Sequence, residues 1–188
     1  MRLITRGGYN WASRYPWIVE AARKIRQKHF VLDGEAVVLG VDGISDFNAL
    51  HSRKHDYEVP FCAFDILAEG GDDLRMLPLS MRKNLERLLA RRREGVFVNP
   101  FERGELGADL FRAACKLGLE RLVSKRRDRP YQAGRSKHWV KVKKTAVTPR
   151  WSGSCEVANK QVGRRQLVAR KQLFSCSVIC TEFSGFTR

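Results

Sequence analysis

The chain has 188 residues, of which 43% are hydrophobic and 30% are charged. This length excludes a large multidomain machine and the composition excludes a disordered tail, so we expect one globular domain, or a smaller domain with an appendage. The 36 Lys and Arg against 20 Asp and Glu give a formal net charge of +16, which favours nucleic acid as the partner over an acidic lipid surface or a basic surface without a specific partner.

The first part of the chain is predicted to form a strand, a turn and a helix. Residues 2–5 favour a strand that leads into the turn Gly7-Gly8. Apolar residues then recur at helical spacing with Arg and Lys on the opposite side, which predicts an amphipathic helix. Its apolar residues are Trp17, Ile18, Ala21, Ala22 and Ile25.

Two apolar runs with acidic residues inside them predict buried strands. The run from Phe30 to Leu39 contains Asp33-Gly34-Glu35 and is followed by the turn signal Val41-Asp42-Gly43. The run from Val59 to Leu67 is interrupted by Asp65 alone. The lone acid Asp65 in this run needs an explanation.

The next segment predicts two helices and two further strands. Ser80 is expected to cap a helix whose last turn holds Arg91, Arg92 and Arg93. The apolar stripe of that helix is Met81, Leu85, Leu88 and Leu89. A second helix is expected over 106–117, ended by Gly118, and strands over 120–126 and 138–144.

The character of the chain changes after Lys144. Residues 145–188 hold three of the five cysteines, have no clean period and carry 7 basic against 2 acidic residues. We therefore expect one domain over 1–144 and an aberrant basic tail over 145–188. The cysteines predict reduced thiols, and a signal peptide and a run of 18 apolar residues are both lacking in the sequence, so the predicted compartment is the cytoplasm.

Four segments in succession resemble the nucleotidyltransferase motifs of ATP-dependent DNA ligases. Leu32 to Glu35, Phe61 to Leu67, Leu119 to Arg126 and Trp139 to Lys143 are similar to motifs three, three-a, four and five, in that order. Thr5 to Trp11 resembles the segment that precedes motif three. The resemblance covers residues 2 to 144 and is nearest to the ligase module of bacterial end-joining enzymes.

Each motif alone has a structural explanation. Asp-Gly-Glu is also found in turns, a Phe-Asp step in packed strands, alternating Val and Lys in half-exposed strands, and Arg121 to Arg129 is typical of a solvated basic face. The order and spacing of the four favour the family. An RNA ligase or capping enzyme shares the motif order, but Phe30 to Val38 and residues 120–143 match the DNA-ligase pattern better.

The resemblance implies an α+β fold, an ATP-grasp-like nucleotidyltransferase (adenylation) domain with antiparallel β-sheets flanked by helices. It also implies the family's reaction: AMP passes from a lysine to the 5′-phosphate of nicked DNA and is displaced by the 3′-hydroxyl. The implied cofactors are ATP and Mg²⁺, and the implied partner is DNA.

The last predicted strand places two lysines on one face. Side chains two residues apart on a strand point the same way, so Lys141 and Lys143 are expected to face one side with Trp139, and Val140 and Val142 to face the core. Two ammonium groups there suit a triphosphate, because fixed cations stabilise charge that develops on the α-phosphate as pyrophosphate leaves. The resemblance implies this role for Lys141 and Lys143.

The resemblance implies roles for four more residues. Glu35, on the same strand face as Asp33, is expected to accept hydrogen bonds from the ribose hydroxyls. Phe64 is expected to stack on the adenine, and Glu120 to hold Mg²⁺ directly or through water. Arg6 is expected to contact nucleotide or DNA phosphate.

Three departures from the family pattern predict an inactive fragment. Arg121 stands where motif four has glycine. The nucleophile motif Lys-x-Asp-Gly is absent, since Val31 and Gly40 occupy the two lysine positions. Residues 145–188 are too short for the oligonucleotide-binding barrel expected after motif five. We therefore expect a reading frame truncated at its start and shifted near 145–150; the alternative is a non-catalytic nucleic-acid-binding protein with a vestigial nucleotide pocket.

Overall fold

A computed structural model shows two compact units. It describes residues 1–41, 43, 45–89, 94–99, 101–104, 121–134, 136–143, 165–169 and 175–179. The first unit consists of Met1–Asn99, Asp128–Gly134 and Gln172–Arg188, and the second of Pro100–Arg127 and Arg135–Lys171.

The described residues form ten strands and four helices. The strands are β1 (Arg2–Thr5), β2 (Phe30–Ala36), β3 (Phe61–Glu69), β4 (Asp72–Asp73), β5 (Val96–Val98), β6 (Glu102–Gly104), β7 (Arg121–Arg126), β8 (Trp139–Lys143), β9 (Arg165–Ala169) and β10 (Ser175–Ile179). The helices are α1 (Pro16–Arg23), α2 (Phe47–His51), α3 (Leu79–Arg82) and α4 (Leu85–Leu88).

A six-stranded sheet forms the centre of the first unit. Its order is β1-β10-β2-β3-β4, and β5 pairs with β3. All pairs are antiparallel except β3 with β5, which is parallel. The α+β class with antiparallel sheets is confirmed, with this one parallel pair as an addition.

The main core lies between this sheet and α1. Pro16 begins α1, where a missing backbone N–H costs nothing, and its buried residues Ile18, Val19, Ala21 and Ala22 repeat at helical spacing. Ile18, Ala21 and Ala22 belong to one apolar cluster with Leu32, Phe61 and Ile66 of the sheet. The helix and β1 are therefore confirmed as predicted, and the core side of β2 and β3 is identified.

Gly34 is required by the packing of this sheet. A Cβ atom at Gly34 would lie 2.4 Å from Cζ of Phe61 and 2.5 Å from the carbonyl oxygen of Cys62. The Asp-Gly-Glu segment thus runs through β2 as strand, with a register shift between Asp33 and Gly34. Only glycine fits on the core side at this point.

The second unit is built on a four-stranded antiparallel sheet with the order β6-β9-β7-β8. The predicted strands over 120–126 and 138–144 are confirmed as β7 and β8. β9 and β10, both from the region after Lys144, pair within the sheets of the second and the first unit respectively. The boundary after Lys144 and the aberrant tail stay predictions.

The helix expected from Ser80 onwards differs from the structure. Pro78 stands at the N-cap of α3 without a side-chain cap, and α3 and α4 are two short helices. Met81, predicted to be apolar core, is 60% exposed, whereas Arg82 is buried. The reason is that Arg82 has a buried carboxylate partner, described below, which fixes the rotation of this segment. The predicted helix over 106–117 and the run Arg91 to Arg93 lie outside the described residues.

No helix among the described residues combines the length and the apolar character needed to cross a membrane.

Candidate nucleotide site

The second face of β2 and β3 in the first unit carries buried carboxylates. Asp33 pairs across the strands with Asp65, and Glu35 with Cys62. Asp33 is 2% exposed, Glu35 is 3% exposed and Asp65 is fully buried. A buried carboxylate is costly unless it is paired and hydrogen-bonded, so the partners of these groups define the site.

Asp65 is held by Arg82 in a bidentate ion pair. Nε and Nη2 of Arg82 donate to the two carboxylate oxygens of Asp65, each at 3.0 Å. Nη1 of Arg82 donates to the carbonyl oxygens of Leu77 and Arg129. With both side chains almost fully buried, this geometry satisfies the charges that burial would otherwise penalise.

Tyr131 attaches a loop to the same face. Its hydroxyl donates to Oδ2 of Asp33 at 3.0 Å, and its backbone N–H donates to the carbonyl of Arg75 at 2.7 Å. Its ring packs against Val31 and Leu67 of the sheet. The loop Asp128–Gly134 is thus fixed to the strand that carries Asp33 and Glu35.

Lys83 fixes the backbone of Phe64. Its Nζ donates to the carbonyl oxygen of Phe64 at 2.6 Å, and Lys83 is only 5% exposed. The side chain of Phe64 is itself 6% exposed. Arg82 and Lys83, adjacent in sequence, therefore hold Asp65 and Phe64, which are adjacent on β3.

Arg6 lies on the turn that follows β1. The turn is closed by hydrogen bonds from Gly8 N to the carbonyl of Thr5 at 2.9 Å and from Thr5 N to the carbonyl of Tyr9 at 2.8 Å. Gly8 has φ 86°, a conformation that favours glycine. Arg6 is exposed at this turn.

The second unit contains the other predicted phosphate-binding residues. Val123 pairs with Lys141, and Arg121 with Lys143, so the two lysines occupy alternate positions on β8. The side chains of Lys141 and Lys143, and the whole of Glu120, lie outside the described residues. In the same register Lys125 lies opposite Trp139. Nζ of the buried Lys125 lies 4.1 Å from the ring centroid of Trp139, which is a cation–π contact.

Three lysines lie on one hairpin of the second unit. β7 and β8 bring Lys125, Lys141 and Lys143 into one hairpin, and cations are what a triphosphate requires. Among the described residues, in contrast, no three His, Cys, Asp or Glu side chains are grouped to hold a metal ion. Asp33 and Asp65 are already bound to Tyr131 and Arg82.

The contacts of Arg82, Lys83 and Tyr131 could not be predicted from the sequence. The signal that was present is Asp65, whose isolated charge in an apolar run demands a cation. The pattern could not say which one, because many Arg and Lys residues follow it in the sequence.

Comparison with known proteins places the sequence among ligases. Residues 1–143 match the family model of the ATP dependent DNA ligase domain. The chain is 36% identical over 147 residues to the multifunctional non-homologous end joining protein LigD of Pseudomonas aeruginosa, covering 76% of this chain and 18% of that protein. It is 37% identical over 144 residues to LigD of Mycobacterium tuberculosis, covering 76% of this chain and 19% of that protein.

Two solved structures are also similar. The crystal structure of the ligase domain of M. tuberculosis LigD matches with a TM-score of 0.66 at 36% identity, over 76% of this chain and 48% of that one. Mycobacterial DNA ligase D complexed with ATP and MES matches with a TM-score of 0.62 at 36% identity, over 76% of this chain and 47% of that one. The chain thus spans about half of these ligase domains. Because the family model covers residues 1–143 of 188, the chain belongs to the ATP-dependent DNA ligase family.

Proposed function

We propose that the chain binds ATP and DNA as part of a ligase adenylation domain, and that these 188 residues alone form no lysine adenylate. One observation carries the second half. In the Asp-Gly of β2 the position of the nucleophile is occupied by Val31, whose side chain is fully buried. The other Asp-Gly has Gly40 at that position. Without a positioned amine, the covalent step lacks its nucleophile.

The residue types on β2 and β3 support binding of the nucleoside. Glu35 is the carboxylate proposed to accept hydrogen bonds from the ribose, and Phe64 the ring proposed to stack on adenine. The hydrogen bond from Lys83 to Phe64 and that from Tyr131 to Asp33 hold the two strands' polar groups in place. Preorganised groups of this kind bind with less entropic cost.

The β7–β8 hairpin supports binding of the phosphates. Lys141 and Lys143 are proposed to face the triphosphate, and Arg6 to contact nucleotide or DNA phosphate. Glu120 is proposed to carry Mg²⁺, an ion that supplies further neutralisation of phosphate charge when bound. The similarity to mycobacterial DNA ligase D, whose structure was solved in complex with ATP, also supports a nucleotide ligand.

Two measurements on the purified chain test the proposal. Calorimetric titration with ATP and Mg²⁺ should give saturable binding, whereas incubation with radiolabelled ATP should leave no protein-bound label after denaturation. A labelled band that acid releases would refute the absence of the adenylate. Salt-sensitive DNA binding without ATP binding would instead favour the non-catalytic nucleic-acid-binding protein.

A further inference from the structure

Four exposed cations lie within six residues at the end of α1. They are Arg23, Lys24, Arg26 and Lys28, which we call the α1 basic patch. We propose that the α1 basic patch is a docking surface for the phosphodiester backbone of DNA. The inference rests on the DNA-binding half of the proposed function and is independent of the nucleotide-binding half.

Among the described residues the four patch side chains have no acidic partner, whereas several other surface cations do. Arg14 pairs with Asp56 at 3.1 Å, Arg87 with Glu69 at 3.0 Å, and Arg75 chelates Asp73. Within the part of the chain that the structure describes, none of the four patch side chains forms an ion pair or a hydrogen bond. Uncompensated charge of one sign is what a polyanion requires.

The helix dipole explains only half of the patch. Arg23 is in the last turn of α1 and Lys24 is its C-cap, where cations interact favourably with the free carbonyl groups. That effect ends within the last turn, yet Arg26 and Lys28 lie beyond it. Ile25, 1% exposed, anchors the segment in the core between them, so the cations are displayed on an ordered surface.

The surface is concave where two of the cations meet it. Arg23 and Lys28 both line a cleft of about 320 Å³, whose lining also includes the apolar Ala22, Ile25 and Phe30. A cleft edged by positive charge concentrates the field on a convex anionic ridge. A row of phosphates has that shape and charge.

DNA fits the patch better than a membrane surface. Peripheral membrane binding needs large apolar side chains beside the basic ones. The exposed large apolar residues among those described are Tyr9, Leu39, Val41, Tyr57, Met76 and Met81. None of them lies in the segment 16–30 that carries the patch, so this segment lacks the exposed large apolar side chains that membrane binding needs.

Paired double variants of the full chain test the inference. Lys24→Gln with Arg26→Gln removes two patch charges, and Arg53→Gln with Lys54→Gln removes two exposed charges elsewhere. Affinity for a labelled nicked duplex is measured by fluorescence anisotropy over a range of salt concentrations. The patch variant should bind about tenfold more weakly near physiological salt. Its plot of log K against log salt should also be less steep by about 1.8, the value for two phosphate contacts. The control variant should keep the wild-type slope.

Each other outcome decides against a specific claim. Equal losses in both double variants, or none in the patch variant, overturn the α1 basic patch as the docking surface. So does a patch variant with wild-type DNA affinity that has lost binding to phosphatidylserine vesicles, which would assign the surface to a membrane. Exchange of Lys24 for Arg and Arg26 for Lys keeps both charges and should restore binding; a folded exchange variant that still loses affinity also overturns the proposal. Patch-dependent DNA binding in a chain that fails to bind ATP would refute only the nucleotide half of the proposed function.

Discussion

The hydroxyl of Tyr131 donates a hydrogen bond to the buried carboxylate of Asp33 across 98 residues of sequence, at 3.0 Å. This contact joins the loop Asp128–Gly134 to β2, the strand that also carries Glu35. The strand β2 is thus coupled to a segment that lies distant in sequence but belongs to the same unit.

Tyr131→Phe should destabilise the fold through the loss of this hydrogen bond. The change removes one hydroxyl and with it one hydrogen bond to the buried carboxylate of Asp33, and a hydrogen bond to a charged group contributes about 1.5–3 kcal/mol. Urea unfolding should show the loss, and hydrogen exchange should accelerate in 128–134 more than in α1. Tyr57→Phe, at a side chain that is 80% exposed, is the matched control and should change neither. Uniform acceleration of exchange would mean that the contact does not hold the loop.

Breaking the Asp65–Arg82 pair should lower the free energy of unfolding more than breaking an exposed ion pair does. Arg82→Met leaves the carboxylate of Asp65 buried and uncompensated, and we expect a loss of about 3–5 kcal/mol in the free energy of unfolding. Denaturant titration measures it. Combining Arg82→Met with Asp65→Leu removes both charges and should recover much of that loss.

The control for this pair is Arg87→Met. Arg87 pairs with Glu69, but its side chain is 67% exposed, so its loss should be within about 1 kcal/mol. If Arg82→Met lowers the free energy of unfolding no more than Arg87→Met does, the Asp65–Arg82 ion pair does not organise this face of the sheet.

Local patterns were enough to predict the strands and α1, while partners distant in sequence could not be predicted. Strand alternation and helical spacing are set by neighbouring residues, so β1, β7 and β8 could be located. The partner of Asp65 lies 17 residues away, and no periodicity distinguishes Arg82 from nearby cations. Helical spacing also predicts Met81 in the core, because the spacing carries no information on the ion pair that turns Arg82 inward.

The Asp73–Arg75 pair predicts a small dependence of stability on pH. Hydrogen bonds from the Arg75 side chain are the main cause that lowers the pKa of Asp73. A carboxyl group whose pKa is lower in the folded state stabilises the fold above its unfolded pKa, and this contribution is lost as pH falls through the folded value. Arg75→Gln should raise the pKa of Asp73 toward its ordinary value, which an NMR titration of the carboxyl carbon can follow. An unchanged titration would mean that the pair is not maintained in solution.

Nucleotide affinity should depend more on β8 than on the aromatic ring of Phe64. Replacing Lys141 and Lys143 by Met keeps bulk and removes two charges; charge-assisted hydrogen bonds are worth about 1.5–3 kcal/mol each, so ATP binding should weaken by well over tenfold. Phe64→Leu retains an apolar cover for the base and loses only the aromatic increment of about 0.5–1.5 kcal/mol. Calorimetric titration with ATP and Mg²⁺ compares the two.

Val142 lies between the two lysines on β8. The variant Val142→Ala therefore distinguishes an effect on stability from an effect on ATP binding. The expected orientation of Val142 toward the core means that its truncation should lower the unfolding temperature and leave the ATP dissociation constant of the folded protein unchanged. The lysine double variant should show the opposite pattern, because strand positions two apart share the ligand-facing side. If the wild-type chain binds ATP and the loss of both lysines has no effect, β8 is a half-exposed strand and the assignment of Trp139 to Lys143 as motif five is wrong.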